Sequence, residues 1–420
     1  MILVVVDTLR ADHLGAYGYP RDTSPELDRF AEEAILFERV VAPAPWTLPS
    51  VASMLTSTYP SVHGLRSREG GTSLTSMRDG LTTLAESFAD AGYRTVAIGT
   101  NPWVNTEGHG LQRGFDEYHD LEDASARAVN TRVREVLGTG PPQDDPRPTF
   151  LYVHYMDVHG PYAHNARGVP DLGPIDERYV RTLTREEHRK IPKYLKPKPG
   201  RLDLYVAAYD RGIRLWDRQF GELLAWLAQA GRLDRAIVSV TSDHGEEFLE
   251  HGDWNHGLDV HDEQIKVPWI LRVPGEGGRR VGALTSLIDV GPTLLARAGI
   301  AVPGSMAGVD VLEDPPDAGR AVLSETHIAR NAVPRPDGGA LVAMLRGDDK
   351  WIVEPRGTRC FDLARDPLEQ QPTRCDPDGL EEVRRWLERL AEQAADLGDT
   401  GKFVPSPETR QRLRELGYAE

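Results

Sequence analysis

In this 420-residue chain, apolar runs that read as strands end repeatedly in residues able to bind a metal or move a proton. Asp7 follows residues 2–6, Thr100 and Asn101 follow 94–99, Asp157 and His159 follow 149–155, and Asp243, His244 and Glu246 follow 236–241. In sheets flanked by helices, the carboxyl ends of strands border the ligand crevice. Asp7, Asp243 and His244 would supply two hard oxygens and one imidazole there. That donor set suits a divalent ion such as Zn, Mn or Mg better than an all-oxygen calcium cage does. Read alone, the pair is better explained by Asp243 capping a helix beginning at Gly245, with His244 simply packed, and only its context favours a metal. Thr47 stands just before Pro49, where a helix is predicted to start, so its hydroxyl lies at a positive helix end that favours an anion and eases ionisation beside a metal. A capping role for Thr47 fits the same pattern.

A sheet must bring these residues together, and the first half of the chain alternates short apolar runs with helical patterns as such a sheet requires. Strands are expected at 2–6, 94–98, 149–155, 236–240 and 267–273. Helices are expected after Ser24-Pro25-Glu26, over 81–91, over 203–230 and over 290–298, three of them closed by Gly92, Gly231 and Gly299. Residues 164–201 are rich in Pro, Lys and Arg without periodicity, which predicts a long insertion loop. Beyond Pro315 the segments 321–324, 340–346 and 350–354 are short and turn-separated, followed by one amphipathic helix near 381–394. They read as a small antiparallel sheet in a subdomain of its own.

Composition narrows the function further. The formal net charge is −16, from 49 Lys and Arg against 65 Asp and Glu, which opposes a nucleic-acid partner because such binding depends on clustered cations. No run of 18 apolar residues is present to span a bilayer. The N-terminal residues read directly as a buried strand without a basic region or cleavage site, so the chain is either cytoplasmic or an exported protein whose leader is missing from it. Cys360 and Cys375 are the only cysteines, enough for one optional bridge and too few for a disulfide framework.

The runs Val4-Val5-Val6-Asp7-Thr8-Leu9-Arg10-Ala11-Asp12, Thr47-Leu48-Pro49-Ser50, Ser242-Asp243-His244-Gly245-Glu246 and Phe361-Asp362-Leu363-Ala364-Arg365-Asp366-Pro367 occur in this order. Together they resemble the motifs of the sulfatase family, within the alkaline phosphatase superfamily. The resemblance implies an α/β fold with a central mixed sheet flanked by helices, a catalytic domain over 1–316 and a C-terminal α+β subdomain over 317–420. It also implies a metal-dependent ester hydrolase, with a divalent ion (Zn, Mn, Mg or Ca, zinc or manganese preferred) held by Asp7, Thr47, Asp243 and His244. Thr47 would be the nucleophile, His159 and His256 would serve catalysis, and Thr100 and Asn101 would face a small anionic ester substrate.

The chain also departs from the family pattern. Members that cleave sulfate esters carry Cys or Ser where Thr47 stands, for oxidation to formylglycine, and an Arg where Val51 stands. A Gly-Lys-Trp-His pattern is replaced by Gly99-Thr100-Asn101-Pro102. Fewer cations suit a singly charged diester, so the resemblance points to the phosphoryl branch, cleaving a phosphodiester or a phosphonate monoester. A sulfuric ester hydrolase without formylglycine, or a non-catalytic member binding an anion or glycan, are the alternatives. Asp12 and Glu246 suit orienting roles. A second metal using His251, His256 or His159 lacks an evident acidic partner, and His13, His154 and His261 are left without a role.

Overall fold

The computed structural model describes residues 1–66, 74–122, 124–138, 146–162, 171–191, 200–313, 316–317, 319–327, 340–354 and 357–415. Its centre is an eight-stranded sheet. In chain order the strands are β1 (Ile2–Val6), β2 (Ile35–Val41), β3 (Arg94–Gly99), β4 (Glu117–Asp120), β5 (Thr149–Tyr155), β6 (Val238–Ser242), β7 (Lys266–Arg272) and β8 (Arg279–Ser286). Across the sheet they run β8-β2-β7-β6-β1-β5-β3-β4. The sheet is parallel except for β7, which runs antiparallel to both β2 and β6.

β1 lies parallel between β5 and β6 and is buried along its whole length. That environment explains why its sequence is an unbroken apolar run rather than an alternating one. Its two faces enter two cores. Leu3 and Val5 pack with Tyr152, Trp269 and the helix α2 (Thr47–Thr56), whereas Val4 and Val6 pack with the far face of the sheet and its long helix α3 (Leu202–Gln229). α2 is wholly buried, so its lack of an exposed polar face follows from its place between the sheet and the rest of the fold.

The C-terminal region forms a four-stranded antiparallel sheet of β9 (Ala321–Thr326), β10 (Leu341–Arg346), β11 (Asp349–Glu354) and β12 (Gly357–Asp362), backed by the helix α4 (Pro377–Asp396). Cys360 and Cys375 are joined as a disulfide between β12 and the start of that helix. Lys350 on β11 is fully buried and pairs with Asp262 and Glu369 at 2.7 Å each. Replacing it with methionine strands the buried Glu369 and the half-buried Asp262, so Lys350→Met is expected to cost about 3 kcal/mol of unfolding free energy, readable in a urea melt.

The sequence expectations fail at identifiable places. Residues 164–201 are not purely a loop, since a helix at Arg185–Lys190 is started by a Thr184/Glu187 capping box, while 163–170 and 192–199 lie outside the described residues. β6 begins two residues later than its apolar run, because Ala236 still belongs to the turn that ends α3's connection. β2, β4, β8 and β12 were not anticipated as strands. Glu38 and Arg39 interrupt the apolar pattern of β2, and β4 and β8 are polar edge strands.

Candidate active site

Register alone carries the first two residues together. Val6 pairs with Ser242 in the parallel β1–β6 ladder, so the next residues, Asp7 and Asp243, leave the sheet side by side although 236 positions separate them. Thr8 turns the chain sharply with φ of 60°, a left-handed conformation that strains a β-branched residue by about 1–3 kcal/mol. The turn is pinned at its carbonyl by the Tyr209 hydroxyl at 2.6 Å, and its amide donates to Asp243 Oδ1 at 3.3 Å.

His244 follows directly, and its Nδ1 lies 2.8 Å from the Gly245 carbonyl. A carbonyl only accepts, so Nδ1 carries the proton and Nε2 presents its lone pair. That Nε2 stands 3.6 Å from Asp7 Oδ1, 3.4 Å from Asp243 Oδ2 and 3.3 Å from Thr47 Oγ1. Thr47 is the first residue of its helix, capped by Trp46, so the helix starts two residues earlier than Pro49 suggests and Thr47 is not its cap. Ser50 one turn along donates to the Asp243 carbonyl at 2.5 Å, which ties the helix end to the strand end.

Asn101 closes the other side. Its Oδ1 accepts from the Trp103 amide at 2.9 Å, capping a short helix, which fixes Nδ2 to donate to Asp7 Oδ2 at 2.7 Å and toward Thr47 Oγ1 at 3.4 Å. Thr100 beside it gives its hydroxyl to the His154 carbonyl at 2.9 Å, a bond within the sheet.

Asp7, Asp243 and His244 are fully buried. Burial and the neighbouring Asp243 charge push the Asp7 carboxyl above the usual carboxylate range. At Asp243 burial is overcome by His244 and His154, which hold it below that range. Asp7 Oδ1 and Asp243 Oδ2 have no hydrogen-bond partner among the described residues. Native proteins rarely leave such atoms idle without a water or ion to meet them. Two orphaned carboxylate oxygens facing one imidazole lone pair therefore fit a divalent cation.

His256 and His159 are brought to the same place. Their ring centroids lie 5.2 Å apart, and His256 lies 4.4 Å from the His244 ring. Glu246, pushed up to about 8 chiefly by burial, holds His256 Nδ1 at 3.0 Å and accepts from the Tyr162 hydroxyl at 2.7 Å. Asp12 pairs with Arg10 at 2.8 Å, and Arg10 donates to the Glu246 carbonyl at 2.8 Å. His13 is taken up by Asp210 at 2.7 Å.

His154 was missed by the sequence reading. Phe150, Tyr152 and His154 alternate along β5, and His154 is in register with Val5, so it shares the face of β1 that ends in Asp7. That period of two was the available signal.

His251, His261 and Glu263 form a second group of potential ligands. His251 Nδ1 lies 2.7 Å from Glu263 Oε1 and its Nε2 lies 3.1 Å from the Glu369 carbonyl, so both nitrogens donate. Its ring stacks on His261 at 3.6 Å and 3°, and parallel rings cannot aim two in-plane lone pairs at one ion. This group holds a proton rather than a metal. Burial opposes the charge on His251, but Glu263 outweighs it and raises the imidazole to about 9. Against an unfolded value near 6.5, this contribution to stability is complete below about pH 6.5 and lost as pH rises through about 9. The urea midpoint of the native protein is expected to fall over that window, and His251→Gln to flatten the fall.

Residues 1–300 match the family model described as Sulfatase. The chain belongs to the sulfatase family. It is 24% identical to a Delta 4,5-hexuronate-2-O-sulfatase of Bacteroides thetaiotaomicron, over 95% of this chain and 88% of that protein. Its fold is similar to that of a 2-O GAG sulfatase, with a TM-score of 0.73 and 21% identity over 94% of this chain and 92% of the other. It also resembles the phosphonate monoester hydrolase of Agrobacterium radiobacter, with a TM-score of 0.71 and 19% identity over 97% and 99% of the two chains. As a sulfatase-family member the protein is an ester-hydrolysing enzyme, of a family that depends in general on a divalent ion. Among the described residues no helix is long and apolar enough to cross a membrane.

Proposed function

We propose that this enzyme cleaves a phosphodiester or a phosphonate monoester, with Thr47 as nucleophile and with a divalent cation held by Asp7, Asp243, His244 and Thr47. The observation that carries the reading is the Thr47 hydroxyl 3.3 Å from His244 Nε2 at the carboxylate pair. When bound, the cation would lower the cost of ionising that hydroxyl and draw charge from a non-bridging substrate oxygen.

The rest is done by the chain. The amide of Asn101 donates toward Thr47 Oγ1 at 3.4 Å, favouring the alkoxide over the alcohol. The N-terminal amides of α2 lie beside the position a substrate anion would take. With its proton released to solvent, the Thr47 oxygen attacks phosphorus, forming the Thr–O–P bond and breaking the bond to the leaving oxygen. His256, oriented through Nδ1 by Glu246, delivers the proton to that oxygen, and His159 beside it contacts the substrate. Water then attacks phosphorus, giving a proton to the now neutral His256, and the Thr47 oxygen leaves, which releases the product and returns both groups to their starting state.

Two chemical arguments support this substrate class. Among the described residues, the side-chain contacts to Thr47, Asp7 and His244 come from Asn101, histidines and the Gly245 carbonyl rather than from lysine or arginine side chains. With the carboxylate pair already balancing the divalent cation, a second charge on the substrate, as in a phosphate monoester, would find no further cationic side chain among these contacts to offset it. Sulfate esters and phosphodiesters each carry one charge, so the nucleophile separates them. A threonine ester has no neighbouring hydroxyl on its carbon through which an aldehyde could form and expel sulfate. Its breakdown must occur by attack at the central atom, which is the ordinary course of phosphoryl transfer.

The test is a panel of matched aryl phosphodiester, phosphonate monoester and sulfate substrates, with Zn, Mn or Ca added. Phosphodiester or phosphonate turnover well above sulfate turnover is expected. Sulfate turnover alone would overturn the choice of substrate class.

A further inference from the structure

We propose that His154 is a further ligand of the cation, making the protein donor set two carboxylates and two imidazoles besides the Thr47 hydroxyl. The inference rests on the reading of Asp7, Asp243 and His244 as ligands and extends it to a residue inside a strand.

His154 is fully buried and neither of its ring nitrogens has a hydrogen-bond partner among the described residues. An imidazole in that state has given up hydration at two positions and gained a full hydrogen bond at neither, which packing alone does not explain. A leucine or phenylalanine would fill the space without that loss. The nitrogen Nε2 nevertheless points at chemistry, lying 3.9 Å from Asp7 Oδ2 and 3.8 Å from Asp243 Oδ2. Asp243 Oδ2 is the same orphaned oxygen that stands 3.4 Å from His244 Nε2. The two imidazoles thus converge on one carboxylate oxygen.

The spacing agrees with a coordination shell. Ligand bonds near 2.1 Å in a tetrahedral site separate the donors by roughly 3.4 Å. The His154 separations exceed that by only a few tenths of an ångström, a closure that side-chain rotation supplies without moving the sheet. Because His154 sits within β5, in register with Val5 of β1, its position is set by the ladder rather than by a loop. It would form a rigid floor to the site, as preorganised binding needs. A second nitrogen donor also shifts preference from the hard ions Ca and Mg toward Zn.

The experiment uses the full chain labelled with 15N-histidine and titrated with 113Cd2+, a spin-½ stand-in for Zn2+, observed through the imidazole nitrogens. Two imidazoles with cadmium-shifted, cadmium-coupled nitrogens are expected, and His154→Gln should remove one of them. The same variant is expected to lose roughly 100-fold in Zn2+ affinity, measured by competition with a chelator, while its Ca2+ affinity changes far less. The count of coupled imidazoles in the unmutated protein needs no variant, so a poorly folding His154→Gln leaves the test intact. Coupling at His244 alone would overturn this proposal and leave the cation site standing. Coupling at neither would overturn the cation site itself, and this inference with it.

Discussion

Thr47→Ala is expected to lower kcat/KM toward an aryl phosphodiester by roughly 10⁴- to 10⁶-fold, the scale seen when a covalent nucleophile is removed from a unit of cooperating groups. The fold should survive the change. The Thr47 hydroxyl is buried and its two contacts, to His244 and Asn101, are long at 3.3 and 3.4 Å, so losing them costs about 1 kcal/mol or less. Cation binding should persist too, because Asp7, Asp243 and His244 are untouched. Thr47→Ser restores the hydroxyl and should recover most of the activity, losing only what the methyl contributes to holding the rotamer. Activity of the alanine variant within about tenfold of the parent would mean that attack comes from elsewhere, since loss of a positioning or binding contact typically costs on that order.

Asp7→Asn should produce two effects of opposite sign. Without metal, the two buried carboxylates oppose each other, as the upward displacement of Asp7 by burial and by Asp243 records. Removing one charge relieves that opposition, so the metal-free variant is expected to melt above the metal-free parent. With metal, the order reverses. A ligand at 100 times its dissociation constant stabilises the parent by about 2.7 kcal/mol, and that increment should vanish together with activity. Melting curves with and without Zn2+ give both readings in one series. A variant that is destabilised when metal-free and still stabilised by Zn2+ would show that Asp7 is structural.

Much of this site was open to reading from residue order because it is built from strand ends. β1 is an uninterrupted apolar run and β5 carries one from Phe150 to Tyr155 broken only by His154, so Asp7 and His159 could be placed after them directly. β6 slipped by two residues, yet Asp243 and His244 kept their place because the polar step that ends the strand is sharper than the apolar step that begins it. What could not be read was register. Only the pairing of Val6 with Ser242 sets Asp7 beside Asp243, and no spacing along the chain encodes a neighbour across a ladder. His154 was hidden for a related reason. It lies within the apolar run instead of after it, and its meaning depends on facing the same side as Asp7. Thr100 and Asn101 show a further limit, because both follow β3 while the structure sends one hydroxyl into the sheet and turns the neighbouring amide toward Thr47. The polar edge strands β4 and β8 carry too little apolar pattern to announce themselves.

The most direct measurement is anomalous diffraction from crystals loaded with Zn2+ or Mn2+ and soaked in vanadate. One metal peak is expected within about 2.0–2.2 Å of Asp7, Asp243 and His244, with vanadium bonded to Thr47 Oγ1. A metal peak held instead by His251 and Glu263, or vanadium bound away from Thr47, would contradict the assignment of this cluster as the reacting centre.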